Sequence, residues 1–144
     1  EKDTLNEELG LDLDIVYLDE DGVAMEVTKI QQGQDFVAQV TVKNTGDKNY
    51  KHMSLSQVFP SGWEIHNNKM DNVSTWTNRV NYEDIRDDRV NLFYDLNRNQ
   101  TKTFKVFLNA SYVGKYYLPA VQTEAMYDHA IRARKHGYWV EVVD

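Results

Sequence analysis

Period-two alternation of apolar and polar residues is the feature of this chain that most constrains its fold. In "LDLDIVYL" the residues Leu11, Leu13, Ile15 and Tyr17 share one face, and acidic residues take much of the other. Successive side chains of a strand point to opposite faces of a sheet, so the pattern predicts a half-buried strand. The alternation recurs in "DFVAQVTVKN", "RVNLFYDL", "QTKTFKVFLNA" and the closing "GYWVEVV".

Turn-forming residues separate these stretches, as in "DEDG" at 19–22 and "PSG" at 60–62. No segment shows a convincing helical period, so we expect an all-β fold, an antiparallel β-sandwich of about seven to nine strands. The compact polar "NRN" predicts that 89–96 and 100–110 form a hairpin. The polar stretch 67–88 is expected to be a long ordered loop.

Length and charge indicate one domain with an acidic start. A chain of 144 residues suits a single core. Nine of the 23 acidic residues fall between Glu1 and Asp21, so residues 1–10 are interpreted as an acidic lead-in or linker and 11–144 as the sandwich. Because the chain starts with Glu rather than Met, we expect it to be a piece of a longer protein.

Composition argues against several classes of function. With 16 basic against 23 acidic residues, the chain lacks the basic balance of a general nucleic-acid binder. No cysteine is present to form a disulfide, a thiolate metal site or a cysteine nucleophile. No apolar run reaches the length of a membrane helix, so we expect no direct membrane contact by this domain.

Two charged clusters contain residue types that can form chemical sites. "EDIRDDR" brings together Glu83, Asp84, Asp87 and Asp88, which suit acid–base work or calcium, but a loop whose acids pair with its arginines is the more common case. His129 and His136 with Asp128 suggest a metal site, yet a spacing of seven residues is awkward and no third ligand follows. We expect neither a catalytic nor a metal site.

The basic stretch "AMYDHAIRARKHG" at 125–137 stands out in an acidic chain. Arg132, Arg134 and Lys135 are too few for non-specific nucleic-acid binding, so we interpret the charged part as a solvated turn before the last strand, or as a contact for an acidic partner. Exposed aromatics on a sandwich face offer an alternative function, a stand-alone carbohydrate-binding module, with Trp63, Trp76 and Trp139 as candidates.

The second half of the chain resembles the last macroglobulin-like domain of bacterial alpha-2-macroglobulins. The ordered pattern is D-D-R, then G-x-Y-x-x-P-x-x-x-x-E-x-M-Y, then R-A and a closing apolar strand. It is carried here by "RDDRV" at 86–90 and by Gly114, Tyr116, Pro119, Glu124, Met126, Tyr127, Arg132 and Ala133.

This resemblance implies a macroglobulin-like sandwich, similar to fibronectin III domains, at the C-terminus of a large protease inhibitor of the periplasm or cell envelope. Members trap proteases after a bait region is cleaved, and many carry a reactive thioester in a separate domain. The domain itself is not an enzyme, needs no cofactor, and meets a target protease only through the full-length protein.

The resemblance also implies a site. Its partner is the preceding thioester-type domain of the same polypeptide, contacted through Glu124, Met126, Tyr127 and Arg132, and Met126 and Tyr127 help to keep water from the thioester. Packed, non-nucleophilic atoms suit that role. His129 and Ile131 stand where the family commonly has Pro and Trp, which alters part of the shielding surface. Some bacterial members lack the thioester.

Overall fold

A computed structural model describes residues 7–66, 82–85 and 88–144, without the side chains of 7–9, 82–85 and 129. Within these ranges the chain is all-β and contains no helix. A helix that could cross a membrane is accordingly not found among the described residues. The strands are β1 Glu7–Leu9, β2 Leu11–Leu18, β3 Ile30–Gln31, β4 Asp35–Asn44, β5 Tyr50–Val58, β6 Trp63–Ile65, β7 Tyr82–Ile85, β8 Arg89–Leu96, β9 Thr101–Ala110, β10 Gly114–Leu118, β11 Val121–Ala125, β12 Asp128–Lys135 and β13 Tyr138–Val143.

The strands form three sheets around one core. The largest has the order β1-β12-β11-β5-β8-β7, the second β2-β4-β9-β6, and the smallest β10-β13-β3. Every described pairing is antiparallel except that of β3 with β13. The fold class is therefore confirmed. The described residues form thirteen strands, more than the expected seven to nine, because four of them (β1, β3, β6 and β7) have only two to four residues each.

Alternation predicted the buried faces well. Along β4 the burial changes at every residue, with Phe36, Ala38, Val40 and Val42 pointing inward. At the centre of the core Trp63 meets Phe36 edge-to-face, with ring centroids 4.9 Å apart. Aromatic rings bury large apolar areas and prefer particular orientations relative to each other, so this contact favours one arrangement of the packed sheets.

The expected hairpin of 89–96 with 100–110 is wrong. β8 belongs to the six-stranded sheet and β9 to the four-stranded sheet, so the chain changes sheets between them. At this corner Asn97 N–H donates to Gln100 Oε1 at 2.8 Å, and Asn99 adopts a left-handed φ of 63°. Each strand has one buried face, and alternation does not say which sheet that face belongs to.

Three short or charged segments are strands where the sequence predicted otherwise. Part of the expected loop 67–88 is β7, which pairs with β8; residues 67–81 and 86–87 lie outside the described part of the chain. Within the acidic lead-in, Glu7–Leu9 form β1 on the edge of the large sheet. The charged segment expected to be a turn is the eight-residue strand β12.

Candidate docking surface

The turn between β11 and β12 carries the two residues singled out by the sequence. β11 ends at Ala125 and β12 begins at Asp128, so Met126 and Tyr127 form the turn itself. Their side chains are 44% and 80% exposed. A thioether and a phenol side by side at a hairpin tip form a small apolar projection of the kind that packs against another protein surface.

Glu124 and Arg132 lie behind this tip on neighbouring strands. They are direct register partners in the β11–β12 pair, and both are half-buried. Because Thr123, Ala125 and Ala133 face the core, Glu124 and Arg132 share the outer face of the sheet. The structure therefore brings all four predicted residues to one end of one hairpin.

The two-residue turn at the hairpin tip has an irregularity directly behind it. Ala125 pairs with Asp128, whereas the preceding residue Glu124 pairs with Arg132, so three residues of β12 form an irregularity. Asp128 Oδ1 accepts a hydrogen bond from Ala130 N–H at 3.1 Å inside it. An irregularity of this kind lets the strand bend directly behind Met126 and Tyr127.

A buried hydrogen-bond network anchors β11 beneath the surface. Thr123 donates its hydroxyl to Ser54 O at 2.7 Å, and the Tyr94 hydroxyl lies 2.6 Å from Thr123 Oγ1. Since the single Thr123 proton is used, Tyr94 is the donor in the second bond. Burial raises the pKa of Tyr94 well above its ordinary value, so this phenol stays protonated and able to donate.

Sequence reasoning missed His52, which lies directly beside the tip. Its carbonyl accepts the Met126 N–H at 2.9 Å, and its ring meets the Tyr127 ring edge-to-face with centroids 5.3 Å apart. His52 has a left-handed φ of 59° within β5. Histidine is among the residues enriched at positive φ, but no local signal in the sequence places such a residue in this strand.

The basic segment has a structural explanation in its strand neighbours. On one side of β12, Arg132 is opposite Glu124; on the other, Arg134 is the register partner of Glu7 in β1. Opposite charges directly across a pair of strands, as in the Glu124–Arg132 register pair, are worth roughly 0.2–1 kcal/mol. The acidic lead-in thus supplies an edge strand for the basic strand.

The histidines do not meet. His129 lies near the start of β12 and His136 just beyond its end, and seven residues of extended chain span roughly 23 Å. The His136 Nδ1 lies 2.9 Å from Gly137 O, while the side chain of His129 is outside the described part. Among the described side chains no group of three possible metal ligands occurs.

In the acidic cluster, Asp88 pairs with its neighbour. Arg89 Nε donates to Asp88 Oδ1 at 3.1 Å, and this hydrogen bond is the main cause that lowers the pKa of the carboxyl. The strand β7 contains Glu83 and Asp84 but their side chains are not described, and Asp87 lies outside the described residues. The interpretation as acids paired with arginines holds for Asp88.

The tryptophans fall into different environments. Trp63 is 2% exposed in the core, and a buried indole cannot stack on a sugar, so that candidate for carbohydrate binding is removed. Trp76 lies outside the described residues. Trp139 is 59% exposed and meets Tyr117 edge-to-face with centroids 5.4 Å apart. Rings inclined at 72° do not form one flat platform.

A cavity among the described residues lies away from the hairpin tip. It measures about 480 Å³ and lies beyond the opposite end of β12, between that strand, β2 and β13. Burial, together with Tyr138, raises the pKa of Tyr17, and burial and then Glu26 raise the pKa of Tyr138, so both phenols on its wall remain neutral. The wall also includes apolar residues and the charged groups Asp14, Glu26, Lys135 and His136.

Fold and surface together define a macroglobulin-like β-sandwich domain that presents an apolar hairpin tip. The family model "Bacterial Alpha-2-macroglobulin MG10 domain" matches residues 10–129. The chain belongs to this family.

Curated and solved relatives agree with that assignment. An alpha-2-macroglobulin of Rickettsia conorii is 31% identical over 133 residues, which cover 87% of this chain and 7% of that protein. A Salmonella alpha-2-macroglobulin mutant is similar in structure, with a TM-score of 0.85 and 22% identity over 97% of this chain and 10% of that one. A native Escherichia coli alpha-2-macroglobulin fragment, which spans domain MG7 to the C-terminus, is similar in structure with a TM-score of 0.84 and 18% identity. The match covers 97% of this chain and 24% of the fragment. The chain thus spans a small part of its relatives.

Proposed function

We propose that this chain is the non-catalytic C-terminal interaction domain of a large bacterial alpha-2-macroglobulin-like protease inhibitor of the periplasm or cell envelope. In this role the hairpin tip packs against the preceding thioester-type domain and keeps water from its reactive bond. The match to an E. coli fragment that runs from domain MG7 to the C-terminus supports a place in the C-terminal part of the parent chain. The domain meets the target protease only through the full-length protein.

The observation that carries the proposal is the exposure of Met126 and Tyr127 at one tip. Apolar side chains that project from a folded domain gain free energy by packing against a partner, at roughly 25 cal/mol per Å² buried. Half-buried Glu124 and Arg132 behind them supply a polar rim. Such an apolar centre with a charged edge is typical of interfaces between proteins.

The test uses the parent polypeptide, with Tyr127→Ala compared with Tyr112→Ala. Tyr112 is an exposed tyrosine on a different loop, and it is 54% exposed. The first measurement is hydrogen exchange at 124–132 in the parent and in the 144-residue chain. We expect protection of this segment in the parent that Tyr127→Ala reduces and Tyr112→Ala leaves unchanged.

The second measurement concerns shielding of a thioester. In a parent that contains one, we expect Tyr127→Ala to speed the uptake of methylamine before any protease is added, whereas Tyr112→Ala keeps the native rate. Equal exchange at 124–132 in the parent and in the isolated chain would show that the tip docks on nothing. Protection without a change in methylamine uptake would retain the docking role and refute the shielding role.

A further inference from the structure

A bulge in β5 lies directly against the hairpin tip. Tyr50 pairs with Leu96 and Met53 pairs with Tyr94, so Lys51 and His52 together stand opposite the single residue Asp95. This two-against-one count leaves one extra residue without a ladder partner in β8. His52 is the residue that takes the left-handed backbone, with φ of 59°.

Contacts on both sides hold His52 in this conformation. From the β8 side, Asp95 Oδ1 accepts the His52 N–H at 3.1 Å, a hydrogen bond to a carboxylate in place of the lost ladder bond. From the β11 side, the His52 carbonyl accepts the Met126 N–H at 2.9 Å. A residue in a sparsely populated conformation persists only where its surroundings determine it, and such residues cluster at functional sites.

The bulge also contacts the tip through side chains. The His52 ring stands at 82° to the Tyr127 ring, and Tyr127 is otherwise 80% exposed. A side chain that is ordered before it docks loses less conformational entropy on docking. The backbone of Met126 and the ring of Tyr127 are therefore both set by one residue of another strand.

We propose that the β5 bulge, formed by Lys51 and His52 opposite Asp95, is a positioning device that holds Met126 and Tyr127 in a docking-ready arrangement. Asp95 and His52 are positioning residues that act through the tip. This inference rests on the proposed docking function, but it concerns the free domain and is tested there.

The test follows the amide of Met126 by hydrogen exchange in the 144-residue chain, read by NMR. We expect Asp95→Ala to speed exchange of this amide about tenfold or more, because a hydrogen bond to a charged group is lost at the bulge. Asp95→Asn keeps a side-chain oxygen as acceptor and is expected to restore most of the protection. Asp12→Ala, which removes an exposed carboxylate from β2, is the matched control.

His52→Gly separates the backbone from the ring. Glycine adopts the left-handed conformation without strain, so we expect the Met126 amide to stay protected while the Tyr127 ring signals move toward those of a free tyrosine. Amides of Ala38 and Val40 in β4 must keep native exchange rates in every variant, which separates local from global opening.

Unchanged Met126 exchange in Asp95→Ala, or the same acceleration in Asp12→Ala, would overturn the positioning role. Neither result bears on docking, since the protection of 124–132 in the parent is measured separately. Conversely, a tip that docks on nothing would overturn the proposed function while the bulge still governs Met126 exchange in the free chain.

Discussion

Replacing Thr123 by valine should destabilise the domain more than removing the hydroxyl of its partner Tyr94. Valine keeps the shape of threonine, so the change removes one oxygen with almost no change in packing. Both residues are fully or almost fully buried, with 1% and 0% exposure, so no water replaces the lost partner. The two variants therefore differ in which polar group they leave without a hydrogen bond.

The magnitudes follow from those groups. Thr123→Val leaves the Tyr94 hydroxyl buried and unpaired and also takes the donor from Ser54 O, and a buried unpaired group costs about 1–3 kcal/mol. Tyr94→Phe removes a donor but leaves Thr123 bound to Ser54 O, which costs about 0.5–1.5 kcal/mol. We expect losses in free energy of unfolding of about 2 and about 1 kcal/mol.

The double variant decides whether this accounting is correct. With both hydroxyls gone, the only group that has lost a partner is the Ser54 carbonyl, which has a second lone pair. We expect the double variant to be no less stable than Thr123→Val alone, giving a coupling of about 1 kcal/mol. Urea unfolding followed by tryptophan fluorescence, to which buried Trp63 contributes, measures all four free energies. Additive losses, or a larger loss for Tyr94→Phe, would refute the network.

Two further predictions concern the tryptophans and the ion pair. In urea unfolding, Trp63→Ala should lower the free energy of unfolding by about 3–5 kcal/mol, whereas Trp139→Ala should change it by less than about 0.5 kcal/mol. On a glycan array, the native and Trp139→Ala chains should give the same result. A glycan signal that is lost in Trp139→Ala would instead support carbohydrate binding. The pKa of Asp88 in the folded domain is lower than its ordinary value of 3.8, so the ionised carboxylate stabilises the fold at pH values above 3.8. This contribution is lost as the pH falls through the lower pKa of the folded state. Because the Arg89 and Asp88 side chains are 48% and 50% exposed, we expect Asp88→Asn to lower the free energy of unfolding by less than about 1 kcal/mol at pH 7. In urea unfolding the difference between the native chain and the variant should disappear below pH 3.8. A difference that stays constant with pH would contradict this prediction.

Local alternation predicted the strands that have one clean apolar face. β2, β4, β8 and β9 each follow a period of two over eight to ten residues, and their buried positions are those that the pattern assigns. Pairing was not predictable in the same way. The change of sheet between Leu96 and Thr101 depends on which distant strands each element meets, and no window of the sequence contains that information.

β12 was missed because its apolar face is small and its outer face is basic. Ala133 is its fully buried apolar residue and Ile131 packs only partly against the core, and alanine gives a weak strand signal beside Arg132 and Arg134. The partner that makes the strand favourable, Glu7–Leu9, is more than 120 residues away in the chain. Complementary charge between the acidic start and the basic segment was the one available signal for this pairing.

The proposed docking surface joins two departures from ordinary sequence rules. Met126 and Tyr127 are apolar where exposure favours polar residues, and His52 takes a left-handed backbone inside a strand. Each departure alone has a local cost, and local conflicts in natural proteins tend to occur at functional sites. Here they are in direct contact, through the Met126 N–H and the Tyr127 ring. They therefore form one structural feature, and under the proposed docking function selection would act on β5 as well as on the hairpin.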